Sequence, residues 1–281
     1  MNYLIIGASS EAGQSALAAV REFEPDALIV ATTSRGVDDA DSQDHGGADR
    51  TIYNVDLASD EAVDRITAAI QEPIDVMFYT PAFGPVGFPI SESGGSDIRQ
   101  ALNFSYHPLV RLTERLAVRT TVAYSSFYWL PHISIAYGAM GAAKYAVEKL
   151  ALNHPEQYRV IRSGTFFSKS TRGISLMIQR AVKSTQDGNL LDLVQRWKAS
   201  GMKFQEYFFY YAHSVEREEF AERFADRPHR HTTRDDLKAQ ALEILRGTDG
   251  PIRNVIGDWS WTDYEMPPLP AADRAAIVAH V

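Results

Sequence analysis

The chain has 281 residues, of which 45% are hydrophobic and 23% charged, the balance of a globular enzyme long enough to bury a full core. A net charge of −8 argues against nucleic-acid binding, which rests on a positive surface, and the absence of cysteine excludes disulfides, thiolate metal sites and a cysteine nucleophile. With no apolar run near the ~20 residues of a membrane helix and no basic leader, the expectation is a cytoplasmic, small-molecule enzyme with one large α/β domain over residues 1–281.

Tyr3-Leu4-Ile5-Ile6 is an apolar run that leads through Gly7-Ala8-Ser9-Ser10-Glu11-Ala12-Gly13 into a helical stretch over residues 14–23. A strand, a small-residue turn and a helix in that order let backbone N–H groups approach a pyrophosphate, with the positive helix N-terminus behind them. Residues 27–33 read as a second buried strand. Ser34-Arg35-Gly36 leaves its C-terminal end, where the adenosine ribose of a dinucleotide would lie. Arg35 is a cation suited to a 2′-phosphate, so NADP(H) is expected over NAD(H). Polar residues 38–50 form a loop, residues 51–57 a third strand that places Asp56 to meet an adenine edge, and residues 60–70 a helix.

Residues 74–79 make a fourth strand that runs into a Pro- and Gly-rich segment beginning Thr80-Pro81, and a helix over residues 96–117 carries Asn103. A fifth strand over residues 121–126 delivers Ser125 and Ser126 at its C-terminal end, the edge at which open α/β sheets bind ligands. The next helix is expected to hold both Tyr137 and Lys144. Seven residues are ~700° of helix, so phenol and ammonium would share one face. After a sixth strand over residues 158–161, residues 171–231 read as a helical insertion over the site. A helix over residues 235–246 and a strand over residues 253–256 resume the alternation. Such alternation implies parallel strands joined by right-handed crossovers, a doubly wound α/β sheet of Rossmann type.

On these pieces the chain resembles the short-chain dehydrogenase/reductase superfamily from Gly7 to Trp261. The matching residues are Gly7-Ala8-Ser9-Ser10 with Gly13, Asp56-Leu57, Asn103, Ser125-Ser126, Lys144-Tyr145-Ala146-Val147-Glu148 and the closing Gly257-Asp258-Trp259-Ser260. Two departures stand out. Glu11 occupies a position where the family's turn has its second glycine, so either its carboxylate turns away from the pyrophosphate or the turn is altered. Met140 stands four residues before Lys144, where the family has its tyrosine.

Tyr137 lies three residues earlier still. A tyrosine, six residues and a lysine, with Met140-Gly141 between them, is similar to the enoyl-acyl-carrier-protein reductases, the divergent branch of that superfamily, as is Phe83 after the fourth strand. The resemblance implies a cofactor held by Gly7, Ser9, Ser10, Gly13, Arg35, Asp56, Leu57, Thr80 and Pro81. At the nicotinamide end it implies Lys144, Gly164, Phe166 and Ser168. It also implies a homodimer or homotetramer.

Enoyl reduction gives a reason for the displaced phenol. Hydride goes to the β-carbon while negative charge develops on a carbonyl oxygen several bonds away, and one helical turn is ~5 Å. Tyr137 would donate to the forming enolate oxygen. Lys144 would bind ribose hydroxyls and add a positive field, Ser126 would be an auxiliary donor, and Asn103 would support Lys144 from behind. The expected substrate is an apolar enoyl compound, a thioester among the options, lined by Phe83, Tyr128, Met140 and Tyr207. Carbonyl or alcohol chemistry with Tyr137 or Tyr128 as acid, and a dinucleotide-binding sensor without chemistry, are the alternatives.

The aromatic run over residues 204–211 falls where the family has its substrate flap, and residues 170–188 where a lid could close. His229-Arg230-His231 matches no metal-ligand spacing and reads as a solvated turn, and no metal site is expected. No Gly-x-Ser-x-Gly elbow supports a hydrolase.

Overall fold

The computed structural model describes residues 1–36, 47–59, 61–182 and 185–281. The loop expected over residues 38–50, the helix start at residue 60 and part of the lid at residues 183–184 therefore lie wholly or partly outside the described residues. Strands β1 (Asn2–Ile6), β2 (Leu28–Thr32), β3 (Arg50–Ile52), β4 (Val76–Tyr79), β5 (Thr120–Ser126), β6 (Tyr158–Ser163), β7 (Ile252–Ile256) and β8 (Trp259–Asp263) form one sheet in the order β3-β2-β1-β4-β5-β6-β7-β8. Every neighbouring pair is parallel except β7 and β8.

The sheet is covered on both sides because its central strands are apolar at every position rather than at alternate ones. Leu4 and Ile6 point to one face and pack with Val63, Ile66, Leu109, Leu112 and Val147, from helices α2 (Glu61–Ala69), α4 (His107–Arg115) and α6 (Met140–Asn153). Tyr3 and Ile5 point to the other, among Leu17, Val20, Leu237 and Ala241 of α1 (Glu11–Phe23) and α10 (Arg234–Leu245). Each such aliphatic side chain contributes ~1.5–3 kcal/mol by leaving water. That burial holds the strand ends, and the turns leaving them, in place.

Five elements differ from the sequence reading. The helix expected over residues 96–117 is two, α3 (Gly95–Ser105) and α4, because Pro108 in the first turn of α4 cannot donate to the preceding turn. Strand β3 stops at Ile52, and Asn54 takes a left-handed φ of 56° that turns Val55, Asp56 and Leu57 out of the ladder. Gly257, at φ 54°, and Asp258 reverse the chain into β8, an antiparallel edge strand with no counterpart in the sequence reading. Helix α11 (Ala271–Val278) was likewise not expected from the sequence.

Tyr137 is the fifth case. It follows the short helix α5 (Pro131–Ser134) and is separated from α6 by Gly138 at φ 48°, so it does not share a helix with Lys144. The segment over residues 136–139 is pinned instead to the loop after β4. Gly87 N–H donates to Ala136 O (2.7 Å), Gly138 N–H to Phe88 O (2.9 Å) and Ala139 N–H to Pro85 O (3.1 Å). Between β6 and α10 lie α7 (Lys169–Ala181), α8 (Gly188–Ser200) and α9 (Phe204–Phe220), the helical segment expected there.

Candidate active site

The chain leaves β1 toward β2 on one side, while β4 begins the strands on the other, so a crevice opens at their C-terminal ends. A cavity of about 850 Å³ occupies it, in the upper part of the range of small-molecule sites. Gly7, Ser9, Ser10, Glu11 and Ala12 line one end, with Thr33, Ser34, Asp56 and Leu57 beside them, and Thr80 and Pro81 continue the wall. Gly7 has φ 77°, and a Cβ there would lie 2.7 Å from Thr80 Oγ1, so only glycine fits. Ser10 caps α1, accepting from the Gly13 N–H at 2.9 Å, and its hydroxyl lies 2.9 Å from Thr80 Oγ1.

Gly13 does not line the cavity, a correction to its expected role as a cofactor contact. A Cβ on it would come within 2.4 Å of Gly7 O, so its part is to let α1 pack onto the turn. The Arg35 side chain is half-buried beside the lining residues Thr33 and Ser34 and is not itself part of the wall. Glu11 is accounted for by Arg234, whose guanidinium meets Glu11 Oε2 at 2.6 Å. The carboxylate is held by a cation at the mouth of the site rather than left to face an anion.

Toward the other end the cavity is walled by Ser126, Tyr137, Met140 and Lys144, then by Gly164, Phe166 and Ser168 after β6. Thus Tyr137 and Lys144 do share a wall, although tertiary contacts rather than helical phase bring them there. Lys144 is 6% exposed and its Nζ donates to Tyr124 O of β5 at 2.7 Å. Burial holds its pKa down to about 8, against an opposing pull from Glu148. Burial pushes the Tyr137 phenol up, and nearby Ser126 moderates the rise without making a hydrogen bond of ordinary geometry. Ser126 Oγ is buried and without a partner among the described residues.

Three residues expected at this wall lie elsewhere. Asn103 is exposed on α3 in a separate shallow depression with Tyr106, His107, Val110 and Arg111, whereas its neighbour Phe104 faces the cavity. Tyr128 is fully buried outside the cavity, and its hydroxyl donates to Glu148 Oε2 at 3.1 Å. Glu148 also accepts from Ser125 (2.6 Å) and from both Nε and Nη2 of Arg162 (2.9 and 2.6 Å), forming a buried pair that braces α6 against β5 and β6. Tyr207 packs in the core among Ile135, Ile178 and Phe204, and Phe208 lines the cavity in its place. Phe83, 54% exposed, lines the cavity, as do Ile174 and Met177 of α7.

The sequence reading missed Glu216. It is 1% exposed, lines the cavity, and accepts from the Thr165 N–H through Oε1 at 2.6 Å. Phe204, Phe208, Ala212 and Glu216 recur every four residues, which puts Glu216 on the buried face of α9. The neighbouring Arg217-Glu218-Glu219 disguises it as part of a solvated run. His229 is not in a solvated turn either, for its Nδ1 lies 2.8 Å from His213 Nε2, and burial with the His213 charge holds its pKa down to about 4. No group of three or more candidate metal ligands is found among the described residues.

No protein-family model and no curated protein matches the sequence. The structure does match solved ones. The RhlG/NADP active-site complex of Pseudomonas aeruginosa aligns at a TM-score of 0.58 with 17% identity, covering 92% of this chain and 95% of that one. The KRED1-Pglu enzyme aligns at 0.53 with 16% identity, over 77% and 95% of the two chains. A short chain dehydrogenase/reductase family protein aligns at 0.50 with 16% identity, over 65% and 80%. The chain has the short-chain dehydrogenase/reductase fold. No helix among the described residues is long and apolar enough to cross a membrane.

Proposed function

We propose that this short-chain-type reductase binds NADPH in the crevice and reduces the activated C=C bond of an apolar enoyl substrate. The observation that carries the reading is the convergence of Tyr137, Ser126 and Lys144 on the cavity that begins at the Gly7–Ala12 turn. A dinucleotide fits the residues present. Gly7 lacks the Cβ that would meet Thr80, Glu11 is neutralised by Arg234, and the buried Ser126 hydroxyl has no partner of its own. The RhlG structure, whose fold this chain shares, holds NADP in its active site.

Bound there, NADPH supplies hydride. Tyr137 would give its phenolic proton to the carbonyl oxygen on which enolate charge develops, with Ser126 as a second hydrogen-bond donor, and tautomerisation of the resulting enol would move that proton to the α-carbon. Lys144, charged below about pH 8, stabilises that oxygen and holds ribose hydroxyls. Phe83, Met140, Met177 and Phe208 form an apolar wall that excludes water from the developing charge. Arg35, beside the adenosine end, is the cation for a 2′-phosphate.

Consumption of NADPH with enoyl thioesters and not with ketones tests the reading. Tyr137→Phe should lower kcat/KM by about 10²- to 10⁴-fold with NADPH affinity retained. Turnover of ketones alone would replace enoyl by carbonyl chemistry. Tight cofactor binding with no turnover in either panel would make the chain a sensor, and tighter binding of NADH than of NADPH would overturn the role of Arg35.

A further inference from the structure

Glu216 presents a buried carboxylate to the cavity, and half of it is uncommitted. Oε1 accepts the Thr165 N–H at 2.6 Å and lies 3.3 Å from His132 Nε2, which is itself 3.0 Å from Thr165 Oγ1. Oε2 is buried and has no hydrogen-bond partner among the described residues. A buried carboxylate oxygen without a donor is costly, and native structures keep one chiefly where something else supplies the bond. The oxygen faces the end of β6, since a Cβ on Gly164 would lie 3.0 Å from it. Ser163 is paired in register with Ser126, so this end adjoins the proposed reacting centre. Gly164, lacking a Cβ, leaves room beside the buried Oε2.

We propose that Glu216, fixed by the Thr165 N–H, is an acceptor for an O–H or N–H group of a bound ligand. That group is a hydroxyl or amino substituent of the substrate, or the carboxamide of the nicotinamide. A carboxylate with one oxygen fixed has only acceptor capacity left on the other, so it admits a donor and rejects a bare ether or carbonyl oxygen. The inference rests on the cavity being the ligand site of the reductase proposed above. It adds that the site is not apolar throughout.

The test reads binding rather than turnover, so it stands apart from the choice of reaction. Calorimetry compares 4-propylphenol with its methyl ether, and NADP⁺ with its 3-acetylpyridine analogue, which lacks the carboxamide N–H. Wild type should prefer the donor-bearing member of at least one pair by tenfold or more. Glu216→Gln keeps an oxygen for the Thr165 N–H and turns an amide N–H₂ toward the ligand, so that preference should vanish or invert. Tyr137→Phe, which leaves Glu216 untouched, should keep it. A preference in the first pair assigns the donor to the substrate, and one in the second assigns it to the cofactor.

A wild-type ratio near one in both pairs overturns the proposal, as does a ratio that survives in both Glu216→Gln and Glu216→Leu. Should those variants not fold, loss of the ratio in Tyr137→Phe overturns it instead. Failure of NADPH to bind at all would count against the reductase reading while leaving the phenol comparison decisive for Glu216.

Discussion

The two ends of the cavity are built by different means. At the Gly7–Ala12 end the geometry is local and mostly backbone. One left-handed glycine, one close-packed glycine and one capping serine lie within seven residues, with Thr80, just past the end of β4, locking the turn. At the Tyr137–Lys144 end the working groups are side chains from β5, the α5–α6 junction, the loop after β6 and α9, brought together by contacts across long stretches of sequence. In the proposed function the first arrangement receives an anion, and the second supplies an electrostatic field. Substitutions at the first should therefore change cofactor affinity, and substitutions at the second should change turnover.

The largest effect is expected at the second end. Lys144→Ala should lower kcat/KM by about 10²- to 10⁴-fold, since it removes the one cation of that wall among the described residues. Wild-type kcat/KM should fall tenfold per pH unit above about pH 8, as Lys144 loses its proton, and Lys144→Arg should remove that limb. Stability should move the other way. Between about pH 8 and 10 the unfolded lysine still binds a proton that the folded one has released, so melting temperature should rise with pH over that window. Activity and stability rising together there would show that Lys144 is not the group being titrated.

Gly7→Ala tests the first end. A non-glycine residue at φ 77° costs ~1–3 kcal/mol, and its Cβ would also press on Thr80 Oγ1 at 2.7 Å. Melting temperature should drop and the Kd for NADPH should rise about tenfold, with kcat at saturating NADPH within a few-fold of wild type. A collapse of kcat at unchanged Kd would dissolve the distinction between the two ends.

The same contrast explains what the sequence revealed. The doubly wound sheet and the glycine turn were legible because apolar runs and small-residue turns are local patterns, and Gly7, Ser10, Asp56 and Gly164 all reached the cavity. Tyr137 and Lys144 also line the cavity, but not by the expected route. Helical phase does not connect them, because Gly138 ends the continuity, and the pairing of residues 136–139 with the loop after β4 had no signal in the spacing. Tyr128 was misplaced because nothing local told that Glu148 and Arg162 would claim its hydroxyl. Glu216 was hidden by charged neighbours.

Arg234 gives a smaller and salt-dependent effect. Its pair with Glu11 is half-exposed, and such pairs contribute ~0.2–1 kcal/mol. Arg234→Ala should nonetheless weaken NADPH binding about two- to fivefold, because it frees a carboxylate beside the pyrophosphate position. Added salt should shrink that loss by screening the exposed charge. Glu11→Gly in the same background should restore affinity. If it does not, the arginine acts on the cofactor in some way other than by restraining Glu11.

The smallest effect is expected at Asn103, where the sequence pattern and the structure disagree most directly. One residue along a helix is ~100° of rotation, and that step separates exposed Asn103 from Phe104, whose ring lies 4.9 Å from Phe83 in the cavity wall. The break before Pro108 fixes this phase, and the Ser105 hydroxyl secures it by accepting from Phe83 N–H and donating to Phe83 O, both at 3.0 Å. Lys144 already has a partner in Tyr124 O, so it needs no support from α3. Asn103→Ala should therefore change kcat/KM by less than about twofold. A loss beyond tenfold would mean that α3 turns when ligand binds, and the division of labour between the two ends would have to be redrawn around a moving helix.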